Sequence, residues 1–247
     1  MTALARAELL KLRTTRVPWI LLAAALAVVA LFAAVTLLSP PEAFGLSGAE
    51  RLVPLVEGAR SAQLFAFGVG VVMLAGEYRH NTIRQTLLTT PARGRVLAAK
   101  LLVAVPVGLV LAVAVLVLTL AVGVPWLLLD GVAIDPTDRE LLLVLLGQGA
   151  ALVLVVPLGV ALAALLRLQS LTVVAFVLWT GFGEFLVDFF LSRATPYLPN
   201  EALNALARSD GLAVDPVPMW AGALLVSGYI AVLALLGKQL TLRRDIP

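Results

Sequence analysis

The chain has 247 residues, 61% of them hydrophobic and 13% charged, a formal net charge of +3 and no cysteine. Soluble domains run near half apolar and a quarter charged, so this composition excludes an ordinary water-soluble fold. The basic excess is too small to suggest nucleic-acid binding, and the missing cysteines exclude disulfides, thiolate metal sites and cysteine nucleophiles.

Residues 1–16 interleave Arg6, Lys11, Arg13 and Arg16 with Leu4, Leu9, Leu10 and Leu12, and carry one acid, Glu8. Long basic stems can snorkel, so this reads as a helix lying at the membrane interface. Val17–Leu38 is the first span, about 33 Å long at 1.5 Å per residue. It exceeds the apolar part of a signal peptide and reads as a retained anchor. Ser39–Gly58, with Pro40, Pro41, Glu42, Glu50 and Glu57, is a loop on the opposite side. Ala59–Ala75 is the second span. Gly58, Ala62, Ala66 and Gly70 recur every fourth residue as a stripe of small side chains, suited to close helix packing within the chain or against a second copy.

Gly76–Lys100, GEYRHNTIRQTLLTTPARGRVLAAK, is the polar centre of the sequence. It carries Arg79, Arg84, Arg93, Arg95 and Lys100 against one carboxylate, Glu77. Asn81 or Thr82 can cap a short helix with Ile83, Leu87 and Leu88 on its apolar side, and Pro91 would stop it. Such a helix suits contact with another protein; an ordinary basic loop between two spans fits the same features.

Leu101–Leu129 is an over-long third span containing Pro106 and Pro125, expected to tilt, to bend near Pro106, or to end at Gly123. Asp130–Glu140 is acidic. Leu141–Leu166 is the fourth span, with Pro157 as a kink site and Gly147, Ala151, Gly159 and Ala163 as another small-residue stripe. A tight turn, Arg167–Ser170, leads to the fifth span, Leu171–Leu191. Within Ser192–Val217, Asn200 can cap a short helix, Glu201–Arg208, ending near Gly211. Pro218–Gly237 is the sixth span, and Lys238, Arg243 and Arg244 follow it.

These elements predict an all-α integral membrane protein of six transmembrane helices in a single domain, 1–247. With the N-terminus in the cytoplasm, thirteen basic residues face inward and five (Arg51, Arg60, Arg139, Arg193 and Arg208) face outward. Basic residues in short loops set topology, so both termini are expected inside.

Enzymatic chemistry is nearly absent. His80 is the sole histidine, no Gly-x-Ser-x-Gly elbow occurs, and no P-loop is present. Glu184 and Asp188 lie in the fifth span four residues apart, on one helical face. Intramembrane carboxylates mark a polar contact, a proton path or a cationic substrate. The alternative is that Gly181 and Gly183 break the helix and leave both acids in a wet outer segment.

Glu77, Thr82, the Thr86–Pro91 stretch, Arg93, Arg95 and Lys100 together resemble the central loop of ABC-2 type (type-2 ABC exporter) permeases. There a Glu ending the second span precedes a Thr-Leu-Leu-x-x-Pro-like helix, a basic pair and a Lys opening the third span. The opening Glu8–Arg16 is similar to their N-terminal interfacial helix, and Arg243-Arg244-Asp245 to their usual end. The resemblance implies a permease of the bacterial inner membrane that pairs with a second permease chain, identical or not, and sits on two separate ABC ATPase subunits. ATP and magnesium would belong to those partners, and this chain would hold no cofactor. It implies that Asn81–Thr90 is a coupling helix acting through Thr82, Ile83, Arg84, Leu87, Leu88, Arg93 and Arg95, with Glu77 at its hinge. It also implies that Ser192–Val217 dips into the membrane from outside. The short first outer loop departs from family members with large extracellular domains. Two other functions fit the spans: an ion-gradient-driven secondary transporter, and a non-transporting membrane anchor or immunity subunit.

Overall fold

In the computed structural model the described residues are 2–39, 52–80, 82–83, 88, 92–131, 137–209 and 211–243, and all regular structure among them is helical. Helix α1 (Thr2–Thr14) is divided from α2 (Arg16–Leu38) by Thr15, whose backbone is extended (φ −88°, ψ 138°). The Lys11 carbonyl accepts from both the Thr15 amide (3.0 Å) and the Thr15 hydroxyl (2.6 Å), which closes α1 and turns the chain.

Helix α3 (Leu52–Gly58) runs through a 3₁₀ turn (Ala59–Ser61) into α4 (Ala62–Arg79). Helix α5 covers Arg93–Leu129, 37 residues, with Pro106 and Pro125 inside it. It ends at Asp130 and Gly131, and Gly131 takes φ +73°, the left-handed conformation that terminates helices. Helix α6 (Arg139–Leu166) opens with the Asp138 carboxylate accepting from the Glu140 amide at 3.0 Å. Helix α7 (Gln169–Leu178), a π turn (Trp179–Gly183) and α8 (Glu184–Leu191) follow as one rod, and a 3₁₀ turn (Ser192–Tyr197) comes after a non-helical Leu191 (φ −144°, ψ 55°). The short α9 (Pro199–Ala207) precedes α10 (Met219–Arg243).

Six stretches are long and apolar enough to cross a membrane: Arg16–Leu38, Pro54–Arg79, Gly94–Leu129, Arg139–Leu166, Gln169–Tyr197 and Met219–Gln239. The second and third outrun the sequence limits of Ala59–Ala75 and Leu101–Leu129. A reading from hydropathy stops at the first charge. Here Glu77 and Lys100 neutralise each other, and both helices continue past them.

Helix α6 is the centre of the bundle and packs on α4, α5, α9 and α10. Its contact with α4 is set by glycines. A Cβ on Gly70 would lie 2.0 Å from the Val156 carbonyl oxygen, and one on Gly159 would lie 2.4 Å from the Phe67 carbonyl oxygen. The two small-residue stripes therefore meet face to face, backbone on backbone. Ala62 and Ala66 are buried on the same stripe, while Gly58 sits against Phe32 of α2. Lipid offers no hydrophobic drive between helices, so dispersion across this close approach replaces it.

Helix α9 is locked in the same way. A Cβ on Gly147 would meet the Leu206 carbonyl oxygen at 2.2 Å, and one on Gly222 the Ala202 carbonyl oxygen at 2.6 Å. Every residue of Glu201–Ala207 is buried. The start differs from the sequence expectation. Leu198 is the N-cap and Pro199 opens the helix, with no cap from Asn200, because proline's fixed φ suits the first helical position. The end lies at Arg208, in the left-handed conformation (φ 55°).

Candidate functional site

Among the described residues, four charged side chains meet where α1, α4 and α5 converge. Lys100 of α5 donates from Nζ to Glu8 Oε2 (2.6 Å), Glu77 Oε1 (2.9 Å) and the Met73 carbonyl oxygen (2.8 Å). An ammonium has three donors, and all three are used. Lys11 of α1 donates to Glu8 Oε1 (2.8 Å) and Glu77 Oε1 (2.7 Å). Two cations and two anions cancel. Lys100 is fully buried, Glu8 is 3% exposed and Glu77 8% exposed, whereas the Lys11 side chain is 44% exposed.

The sequence puts each group there for a local reason. Glu8 and Lys11 are one helical turn apart on α1. Glu77 lies in the last turn of α4, and Lys100 follows two turns after α5 begins. Burial opposes the charge on Lys11. Its hydrogen bonds to Glu77 and Glu8 outweigh that and hold its pKa above the ordinary lysine value of 10.5. The arrangement ties three helices to one another through salt bridges.

The joint sits at the root of the basic segment. The Thr82 amide donates to the Glu77 carbonyl oxygen at 3.0 Å, extending the end of α4. Ile83 is buried and Leu88 is 82% exposed. Asn81, Arg84 and Leu87 lie outside the described residues, and with them most of the expected Asn81–Thr90 helix. Arg93 opens α5, and Arg95 is exposed one turn before the joint. Arg167, in the turn between α6 and α7, has its guanidinium carbon 6.0 Å from the Tyr78 ring centroid, beside Glu77 in sequence.

Glu184 and Asp188 belong to a second polar node at the opposite end of the bundle. Glu184 is fully buried, so the expectation of a wet outer position does not hold for it. Gly181 and Gly183 do not end the helix; the π turn carries the rod through them. Glu184 Oε1 accepts from Trp179 Nε1 (2.9 Å) and from the Asn200 amide (2.7 Å) at the start of α9. A carboxylate at a helix N-terminus satisfies an amide that has no partner within the helix. Asp188 is half-buried and accepts from the Thr195 hydroxyl at 2.7 Å. The two acids face different partners and share no ligand. Among the described residues no group of three or more His, Asp or Glu is arranged to hold a metal ion.

Sequence reasoning singled out Glu77 and counted Lys100 among the loop cations, but it missed the partnership with Glu8 and Lys11. The spacing of Glu8 and Lys11 was the one local sign, and it looks the same in a solvated ion pair.

No curated protein and no solved structure matches the chain. Residues 4–183 match the family described as ABC-2 family transporter protein. This match spans the N-terminal helix, the four-charge joint, the central basic segment and the rod through its π turn. With six apolar helices the protein is a multi-pass membrane component of a transporter and not itself a catalyst, and the chain belongs to the ABC-2 transporter family.

Proposed function

We propose that this chain is the permease subunit of an ATP-driven exporter, with both termini in the cytoplasm. It pairs with a second permease chain in the bacterial inner membrane and couples to separate ATPase subunits through residues 77–95. ATP and magnesium act on those subunits. The carrying observation is the joint of Glu8, Lys11, Glu77 and Lys100. It fastens the helices on both sides of the basic segment, and the N-terminal helix, to one another. A push delivered to the segment thus reaches three helices at once. Ligand-driven change needs a ligand that distinguishes two states, and ATP on a partner can act here only through contact.

Leu88 stands exposed in that segment, with Leu87 beside it in sequence. Purification of the tagged chain from native membrane in mild detergent should bring down a soluble protein bearing a P-loop. Leu87→Asp with Leu88→Asp should abolish that recovery without changing the amount of folded permease. Recovery of the chain alone, or recovery indifferent to both substitutions, would remove the coupling role from this segment and favour ion-driven transport.

A further inference from the structure

Helix α1 has two faces with different surroundings. Ala5, Glu8, Lys11 and Leu12 turn inward. Glu8 and Lys11 enter the four-charge joint, and Ala5 and Leu12 pack on the core. The other face carries Arg6, Leu9, Leu10 and Arg13, at the i, i+3, i+4, i+7 spacing of one helical side, and all four are exposed.

The charge on the outward face has one sign. Glu8 is the sole carboxylate between residues 2 and 39, and it is buried against Lys100. Neither Arg6 nor Arg13 has an ion-pair partner among the described residues. The joint thus removes the acid of α1 from the surface. It leaves two guanidinium groups about 10 Å apart along the helix axis, at 1.5 Å per residue, with two leucines between them.

Water alone suits this face poorly, because Leu10 is 63% exposed between the two arginines. The neighbouring turn of α2 has the same character. Trp19 and Ile20 are exposed there, and the Trp19 indole donates from Nε1 to the Arg13 carbonyl oxygen at 3.4 Å. Tryptophan favours the headgroup level of a bilayer, which sets the second arginine at that level too. An arginine stem can lie along apolar chains while its guanidinium holds a phosphate through paired N–H groups. A zwitterionic headgroup offers its phosphate a cation of its own; an anionic headgroup leaves the phosphate charge to the protein.

We infer that the outward face of α1 docks on anionic phospholipid, with headgroup phosphates on Arg6 and Arg13 and acyl chains against Leu9 and Leu10. The inward face of the same helix supplies Glu8 and Lys11 to the joint, so lipid that seats α1 also favours the closed joint. A ligand that binds only the folded arrangement stabilises it. The inference stands apart from the export reading, since it needs neither an ATPase nor a cargo.

The purified chain in non-ionic detergent, titrated with phosphatidylglycerol or with phosphatidylcholine of the same acyl chains, tests this by native mass spectrometry. The parent should bind phosphatidylglycerol about fivefold or more tightly than phosphatidylcholine. Arg6→Gln with Arg13→Gln should remove that preference, and both positions are exposed, so the fold is kept. Lys238→Gln takes away an exposed cation beside Gly94, at the same end of the bundle but on α10, and should leave the preference unchanged. Phosphatidylglycerol should also raise the thermal midpoint of the parent more than that of the double variant. Equal binding of the two lipids by the parent, an undiminished preference in the double variant, or an equal loss in Lys238→Gln would overturn the proposal. An undiminished preference joined to loss of the P-loop protein from the pull-down would assign the face to a protein partner instead.

Discussion

Replacing Lys100 with methionine keeps the length of the side chain and removes its charge. Glu8 and Glu77 then remain buried, each still bonded to Lys11, and the joint goes from neutral to a net charge of −1. Removing one partner of a buried ion pair costs about 3–5 kcal/mol, because the other charge stays without compensation. The Met73 carbonyl oxygen also loses its donor, which places Lys100→Met at the upper part of that range. For a chain of this length, about 2–4 °C per kcal/mol converts a loss of about 4–5 kcal/mol to a fall of about 8–20 °C in thermal midpoint. Lys11→Met removes the same formal charge, but water reaches the Lys11 side chain, so its cost falls to about 1 kcal/mol. The double variant Lys100→Met with Glu77→Gln restores neutrality and should recover about half the loss, a coupling visible in a double-mutant cycle. Thermal unfolding in detergent, followed by tryptophan fluorescence, measures the parent, these three variants and the Glu77→Gln single variant that completes the cycle. If Lys100→Met were no worse than Lys11→Met, the joint would not be a buried, charge-balanced network, and the argument from burial would fail.

Gly70→Val should prevent correct packing of α4 on α6 and sharply reduce recovery of folded protein in size-exclusion chromatography, whereas Gly228→Ala, where nothing lies near a new Cβ, should leave it unchanged. Glu184→Gln can keep the Trp179 and Asn200 hydrogen bonds through its amide oxygen and should cost less than about 1 kcal/mol, while Glu184→Leu loses both and should cost about 2–3 kcal/mol; thermal midpoints rank the pair. Lys11 has its pKa raised in the fold, so its stabilising effect is fully present below about 10.5, the ordinary value, and is lost as pH climbs through the raised one. The stability advantage of the parent over Lys11→Met should therefore stay constant up to about pH 10.5 and shrink above it, as a stability titration of both proteins from pH 9 upward would show.

The six spans were legible because apolar runs are contiguous and a helix satisfies its own backbone in lipid. Their ends were less so. Whether Glu77 or Lys100 ends a helix depends on a partner across the fold, and the partner of Lys100 at Glu8 lies 92 residues away. No local pattern encodes such a pairing. Glu184 was visible as an acid in an apolar run, but its burial follows from the π turn and from docking of α9, neither of which has a short sequence signature. The α9 helix itself was visible, and only its first turn was misplaced, since Asn200 and Pro199 both signal a start and the proline takes precedence.

Helix α5 is unbroken from Arg93 to Leu129, and it is held to two neighbours at Lys100. That makes it a lever with a pivot near one end. The arm from Arg93 to the pivot is about 10 Å and the arm from the pivot to Leu129 about 43 Å, at 1.5 Å per residue. A sideways shift of about 1 Å at Arg93 then sweeps Leu129 through about 4 Å in the opposite direction, if the rod stays stiff. Weakening the pivot would leave both ends folded and disconnect their movements.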